Sequence, residues 1–161
     1  MKTQITSAFV AALALMALTV SCSKEPVDSI EIVVSENVQD IELELINAVN
    51  EFRKSNGHSA LEFNEVAYEL ANEHTDYMIA RGALNHDGFS ARASEISAQV
   101  NAQAVAENVA RDFPTALDAF NGWLRSDGHR KNMEGDFSHT AVSVKISPSG
   151  QLYFTQIFFL K

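Results

Sequence analysis

The chain has 161 residues, room for one domain and too little for two of ordinary size. Hydrophobic residues make up 46% of it, so a packed core is within reach. A formal net charge of -9, with no basic run, argues against nucleic acid as a partner and fits solubility more than any specific ligand.

Residues 1–21 read as an export signal. Met1-Lys2 supplies a short positive start, and Ile5 to Val20 is a mostly apolar run, too short for a comfortable membrane span. Leu18-Thr19-Val20-Ser21-Cys22 resembles the lipobox of bacterial lipoproteins, in a relaxed form with Thr19 where an aliphatic residue is usual. The alternative is a plain signal whose apolar run ends near a Cys. Cys22 is the only cysteine, so the mature chain has no intramolecular disulfide. Diacylation of Cys22 would give two acyl chains, sufficient for stable anchoring to a membrane. Residues 22–38 are expected to be the lipidated Cys and a polar, acidic tether, with Ile30 to Val34 as spacer in preference to strand. Residues 39–161 form the domain.

A first helix is expected from Gln39 to Lys54, its stripe made by Ile41, Leu45, Val49 and Phe52, with Glu42, Glu44 and Glu51 facing elsewhere. Ser55-Asn56-Gly57 stops it, and His58 lies solvated in the turn. Asn64 is a good N-cap for a second helix running to Arg81 and ended by Gly82. Val66, Leu70, His74, Tyr77 and Met78 fall near one face of it, which reads His74 as a core or boundary histidine in preference to a ligand. Asn85-His86-Asp87-Gly88 is a turn by composition. Phe89 to Val100 is a third helix, with Ile96 and Val100 as its apolar contacts. The small-residue strip Ala102 to Ala110 is expected to be buried, and Glu107 within it then needs partners. Pro114 suits the first turn of a fourth helix lined inside by Ala116, Leu117, Phe120, Trp123 and Leu124 and ended by Ser126-Asp127-Gly128. Val142, Val144 and Ile146 alternate with Ser143, Lys145 and Ser147 in a half-buried strand. After the turn Pro148-Ser149-Gly150, Leu152 to Phe159 is apolar enough for a strand covered on both faces.

His86, Glu107 and His129 are the polar landmarks. Two histidines and a carboxylate can bind a divalent metal or run acid–base chemistry. They can equally form a buried hydrogen-bonded network that only holds the fold. Asn108 is expected to bond backbone, and Arg130 to pair with a carboxylate. If the three landmarks meet, the carboxylate should raise one imidazole's affinity for its proton, and zinc binding should weaken below about pH 6.

Asn47-Ala48-Val49-Asn50-Glu51-Phe52-Arg53 with Leu61-Glu62-Phe63-Asn64 resembles the opening of a CAP domain, the superfamily of cysteine-rich secretory, antigen 5 and pathogenesis-related 1 proteins. Asn85-His86-Asp87, Ala106-Glu107-Asn108-Val109-Ala110, the run Trp123 to Met133 and Tyr153-Phe154-Thr155-Gln156 follow in the order of its bacterial branch, across Asp40 to Phe159. The resemblance implies an α+β fold, a three-layer α-β-α sandwich with a small antiparallel sheet and a central cleft. In eukaryotic members that cleft holds two His and two Glu, and divalent metal occurs there. His86 matches the first His and Glu107 the first Glu, while Ser126 and Tyr153 stand where the second Glu and second His would be. His129 belongs to the bacterial Gly-His-Arg motif. Many members of the family act through binding.

The expected function is a non-catalytic binding module with a polar His/Glu cleft, exported and anchored to the cell envelope, at the outer membrane or the cell surface. Its partners would be the membrane, through Cys22, and an envelope or extracellular ligand. The alternatives are a metal-assisted hydrolase or peptidase using His86, Glu107 and His129, with zinc as the metal, and a purely structural polar core. With no Cys in the domain and no Asp-supported His signature around Ser126, a nucleophile is hard to find, which argues against a Ser or Cys mechanism.

Overall fold

The computed structural model describes residues 35–161, so the signal segment, Cys22 and most of the tether lie outside the described residues. The elements in chain order are α1 (Gln39–Ser55), β1 (Glu62–Phe63), α2 (Glu65–Arg81), α3 (Phe89–Val100), β2 (Ala104–Arg111), α4 (Ala116–Arg125), α5 (Asp127–Glu134), β3 (His139–Ile146) and β4 (Leu152–Leu160). One sheet in the order β1-β3-β4-β2 forms the middle layer. Its β3–β4 pair is the expected antiparallel hairpin, the small-residue strip adds β2 antiparallel to β4, and the short β1 runs parallel to β3.

Alternation along the strands assigns the two outer layers. Val142 and Val144 of β3, with Phe154 and Phe158 of β4, share a core with Leu45 and Val49 of α1, Phe120 and Trp123 of α4 and Met133 of α5. Ala141, Ile157 and Phe159 face the other way, onto Ala67, Leu70 and Ala71 of α2 and Ile96 of α3. The result is the α-β-α sandwich, with α1, α4 and α5 on one face and α2 and α3 on the other.

Helix α2 starts where Asn64 accepts a hydrogen bond from the Ala67 amide and ends at left-handed Gly82, φ 60°. The cap of α4 is Thr115, which accepts from the Asp118 amide, so Pro114 stands just before the helix and not in its first turn. Leu117 is exposed on α4 and does not line its inner face. Ser126-Asp127-Gly128 ends α4 but also opens α5.

Two side-chain placements and one stretch of backbone differ from expectation. Glu42 points inward, accepting from the Val144 amide at 2.8 Å and the Tyr68 hydroxyl at 2.9 Å. The polar alternates of β3 are buried too, because α2 covers that face: Lys145 makes a 2.6 Å ion pair with Asp76 of α2. The last residues assigned to the tether are tied to the fold, the Ser35 amide to Asp76 and the Val38 amide to the Val144 carbonyl.

Candidate functional site

The strip of small residues is an edge strand. The Glu107 and Val109 carbonyls point away from β4 and accept from Asn132 Nδ2 and Trp123 Nε1, both at 3.1 Å. Neighbours on a strand face opposite sides. Val109 shares a cluster with Met78 of α2, and Ala110 belongs to the α1–α4 core. Glu107 therefore faces the α2–α3 layer, and Asn108 faces α5.

Glu107 is 5% exposed, and its carboxylate is held from several sides. His86 Nδ1 lies 2.8 Å from Oε1. Arg92 of α3 donates from Nη2 to Oε1 at 2.8 Å and from Nε to Oε2 at 2.9 Å. His74 Nε2 is 3.7 Å from Oε1, within ion-pair range but beyond a hydrogen bond, and bonds the Asn85 carbonyl at 2.9 Å instead. Burial is the largest influence on the Glu107 carboxyl and pushes its pKa up. The His86 hydrogen bond, the Arg92 charge and then His74 outweigh it, and the pKa ends below the ordinary carboxylate value. Glu107 is thus ionised at neutral pH.

An ionised carboxylate only accepts hydrogen bonds, so neutral His86 carries its proton on Nδ1 and leaves Nε2 as a free acceptor. The His86 side chain is 49% exposed. It lines a hollow of about 350 Å³ with Phe89, Val105, Ala106, Glu107 and Asn132. The turn that presents it is braced by Asn85 Oδ1 accepting from the Asp87 amide, and by the His86 carbonyl accepting from the Phe89 amide.

His86 and Glu107 come together as expected. His129 sits on α5, in the opposite layer, and that is why it stays outside the hydrogen-bonded cluster. Its ring is half-buried 6.4 Å from Trp123, and its carbonyl accepts from Asn108 Nδ2 at 3.1 Å. The rise in one imidazole pKa is expected only if the three landmarks meet, and His129 does not join the cluster. Burial pushes His129 down, helped by the charge of His86, and burial pushes His74 down against the pull of Glu107. Ser126 stands at the α4–α5 junction, its carbonyl accepting from the Arg130 amide. Tyr153 is buried with Met78 and Val109. Neither lines the His86 hollow. Arg130 pairs with Asp127 at 2.9 Å in an exposed contact.

Sequence reasoning missed two of the carboxylate's partners. His74 is a core histidine, as read, but it is also the nearest imidazole of α2 to the site. Arg92 had a usable signal: a buried carboxylate demands a cation, and α3 carries no other basic residue.

The donor set does not fit a divalent cation. Both Glu107 oxygens already face a guanidinium, and among the described residues no group of three His, Cys, Asp or Glu side chains is placed to hold a metal.

The family model for the cysteine-rich secretory protein family, CAP, matches residues 46–158. An uncharacterized membrane protein of Bacillus subtilis, YlbC, is 28% identical over 123 residues, covering 73% of this chain and 34% of that protein. The chain thus spans about a third of that relative's length. Among solved structures, an outer surface protein of Borrelia burgdorferi superposes with a TM-score of 0.71 at 16% identity, covering 79% of this chain and 98% of that one. An extracellular SCP-domain protein of Bacillus anthracis gives 0.66 at 23% identity, over 76% of this chain and 41% of that one. A cysteine-rich secretory protein of Staphylococcus aureus gives 0.64 at 22% identity, over 80% and 41%. At these identities the structures speak to fold alone.

Proposed function

Since the chain belongs to the CAP family of cysteine-rich secretory proteins, we propose that it is an exported, envelope-anchored binding module that engages its ligand through His86. Its similarity to an outer surface, an extracellular and a membrane protein supports export. Acylation of Cys22 would supply the anchor, and an envelope or extracellular molecule the ligand.

One observation carries the binding reading. His86 is pinned through Nδ1, which leaves Nε2 free, and it stands at an open hollow whose other walls are apolar Phe89, Val105 and Ala106 and polar Glu107 and Asn132. Apolar walls with a few placed polar groups are the composition of a small-ligand site. The ligand group at Nε2 is a hydrogen-bond donor. Among the described residues there is no Cys, and Ser126 does not line the hollow. The metal-assisted hydrolase reading needs the Glu107 oxygens that Arg92 holds.

A panel of short peptides and oligosaccharides, screened by ligand-detected NMR against wild type and His86→Ala, tests this. At least one compound class should bind wild type and bind His86→Ala about tenfold more weakly, the loss of roughly one hydrogen bond. Binding indifferent to His86, or turnover of panel members, would overturn the reading.

A further inference from the structure

We infer that Arg92 takes the place of a divalent metal in this cleft, and that it is the residue that keeps the cleft closed to metal. The inference deepens the binding reading, because it makes that site independent of metal.

The guanidinium meets Glu107 as a fork, Nη2 to Oε1 at 2.8 Å and Nε to Oε2 at 2.9 Å. This two-bond geometry is the strongest that arginine makes with a carboxylate. Zinc would need to stand about 2.0–2.2 Å from one of those oxygens. The space in front of them is filled by the guanidinium hydrogens, and the two cations would repel. The arginine is also built in. Its Nη1 donates to the Asp87 carbonyl at 2.7 Å, so the turn that presents His86 holds Arg92 as well. Gly88 makes room for it: a Cβ there would come within 3.3 Å of Nη1, on a backbone at φ +73° that already favours glycine.

What surrounds the guanidinium is a set of residue types that bind zinc elsewhere, not placed here as a metal-holding group. His86 Nδ1 lies 2.8 Å and His74 Nε2 3.7 Å from the same Glu107 oxygen. Two imidazoles and a carboxylate are the donor types of many zinc sites. Without Arg92 the Glu107 carboxylate is free to turn with His86 onto a metal, while His74 Nε2 is held by the Asn85 carbonyl at 2.9 Å. Arg92 supplies the positive charge that a metal would supply to them. It acts as a positioning residue: it holds Glu107 in place, and Glu107 orients His86.

Zinc titration followed by isothermal calorimetry and thermal shift, on wild type, His86→Ala, Arg92→Ala and the double variant, tests the inference without any ligand. It can therefore fail while the binding reading survives. Wild type and His86→Ala should respond to zinc alike. Arg92→Ala should gain at least about tenfold in zinc affinity, lost again in the double variant. If Arg92→Ala does not fold, Arg92→Gln, which removes the charge and keeps a hydrogen bond to Glu107, should show the same gain. A zinc response of wild type abolished by His86→Ala would overturn the inference. So would a folded Arg92 variant that binds zinc no better than wild type.

Discussion

Glu107 shows how one buried carboxylate sets the chemistry around it. Left alone among apolar neighbours it would be costly, and its pKa would rise. Paired with Arg92 and His86 it stays ionised, and its charge fixes the tautomer of His86. His74 and His129 are governed by burial instead, and both are held toward the neutral form. Their folded pKa values lie below those of the unfolded chain, so between the two values the unfolded chain binds more protons. Their stabilisation is complete above the ordinary imidazole pKa of about 6.5 and is lost as pH falls below it. Glu107, also depressed, adds a second loss below the ordinary carboxyl range of about 4.3. Thermal melts should therefore fall between about pH 7 and 5, and again below about pH 4. His74→Gln, which cannot take up a proton, should flatten the upper step. An upper step unchanged in both His74→Gln and His129→Gln would show that their burial is misassigned.

At the scale of elements, the buried pair Lys145–Asp76 joins the middle of the sheet to α2, with side chains 3% and 6% exposed. Breaking a buried pair from one side strands the other charge, at a cost of about 3–5 kcal/mol. Lys145→Met should lose that much stability by urea denaturation, and Lys145→Met with Asp76→Leu should recover part of it. A loss under about 1 kcal/mol would mean that water reaches the pair. The pair also marks where reading the chain stops short. Alternation located β3, but alternation cannot tell a polar face in water from one under a helix. Glu42 was hidden in the same way, as one of several glutamates on a helix whose apolar stripe was correct. Helix α2 was readable because its Asn64 cap, its Gly82 stop and its apolar spacing agree. Helix α5 has only Met133 buried, so it has no stripe to find. Strand β2 was recognised as a buried strip but not as a strand, since alanines with Glu107 and Asn108 carry little β signal. His86 and Glu107 could be paired from sequence, whereas excluding His129 required knowing that α5 and Glu107 lie on opposite faces of the sheet.

At the scale of the whole molecule, the cleft lies at the rim. Strand β2 is a sheet edge, so His86 from the α2–α3 layer and Asn132 from the α5 layer line the same hollow around it. The tether joins the sheet along the part of β3 that the short β1 leaves open, where the Val38 amide bonds the Val144 carbonyl, so an anchor on Cys22 would reach the domain beside that strand. If Cys22 is acylated, palmitate labelling and detergent partition should both disappear in Cys22→Ala, and equal labelling of the two forms would remove the lipid anchor. The central claim is that Glu107 pins His86 through Nδ1 and leaves Nε2 bare toward the hollow. Histidine side-chain ¹⁵N NMR at about pH 8.5, where ordinary imidazoles are neutral, tests it most directly. The account predicts that His86 carries its proton on Nδ1 and that the preference is lost in Glu107→Gln; a His86 protonated on Nε2 in wild type would contradict it.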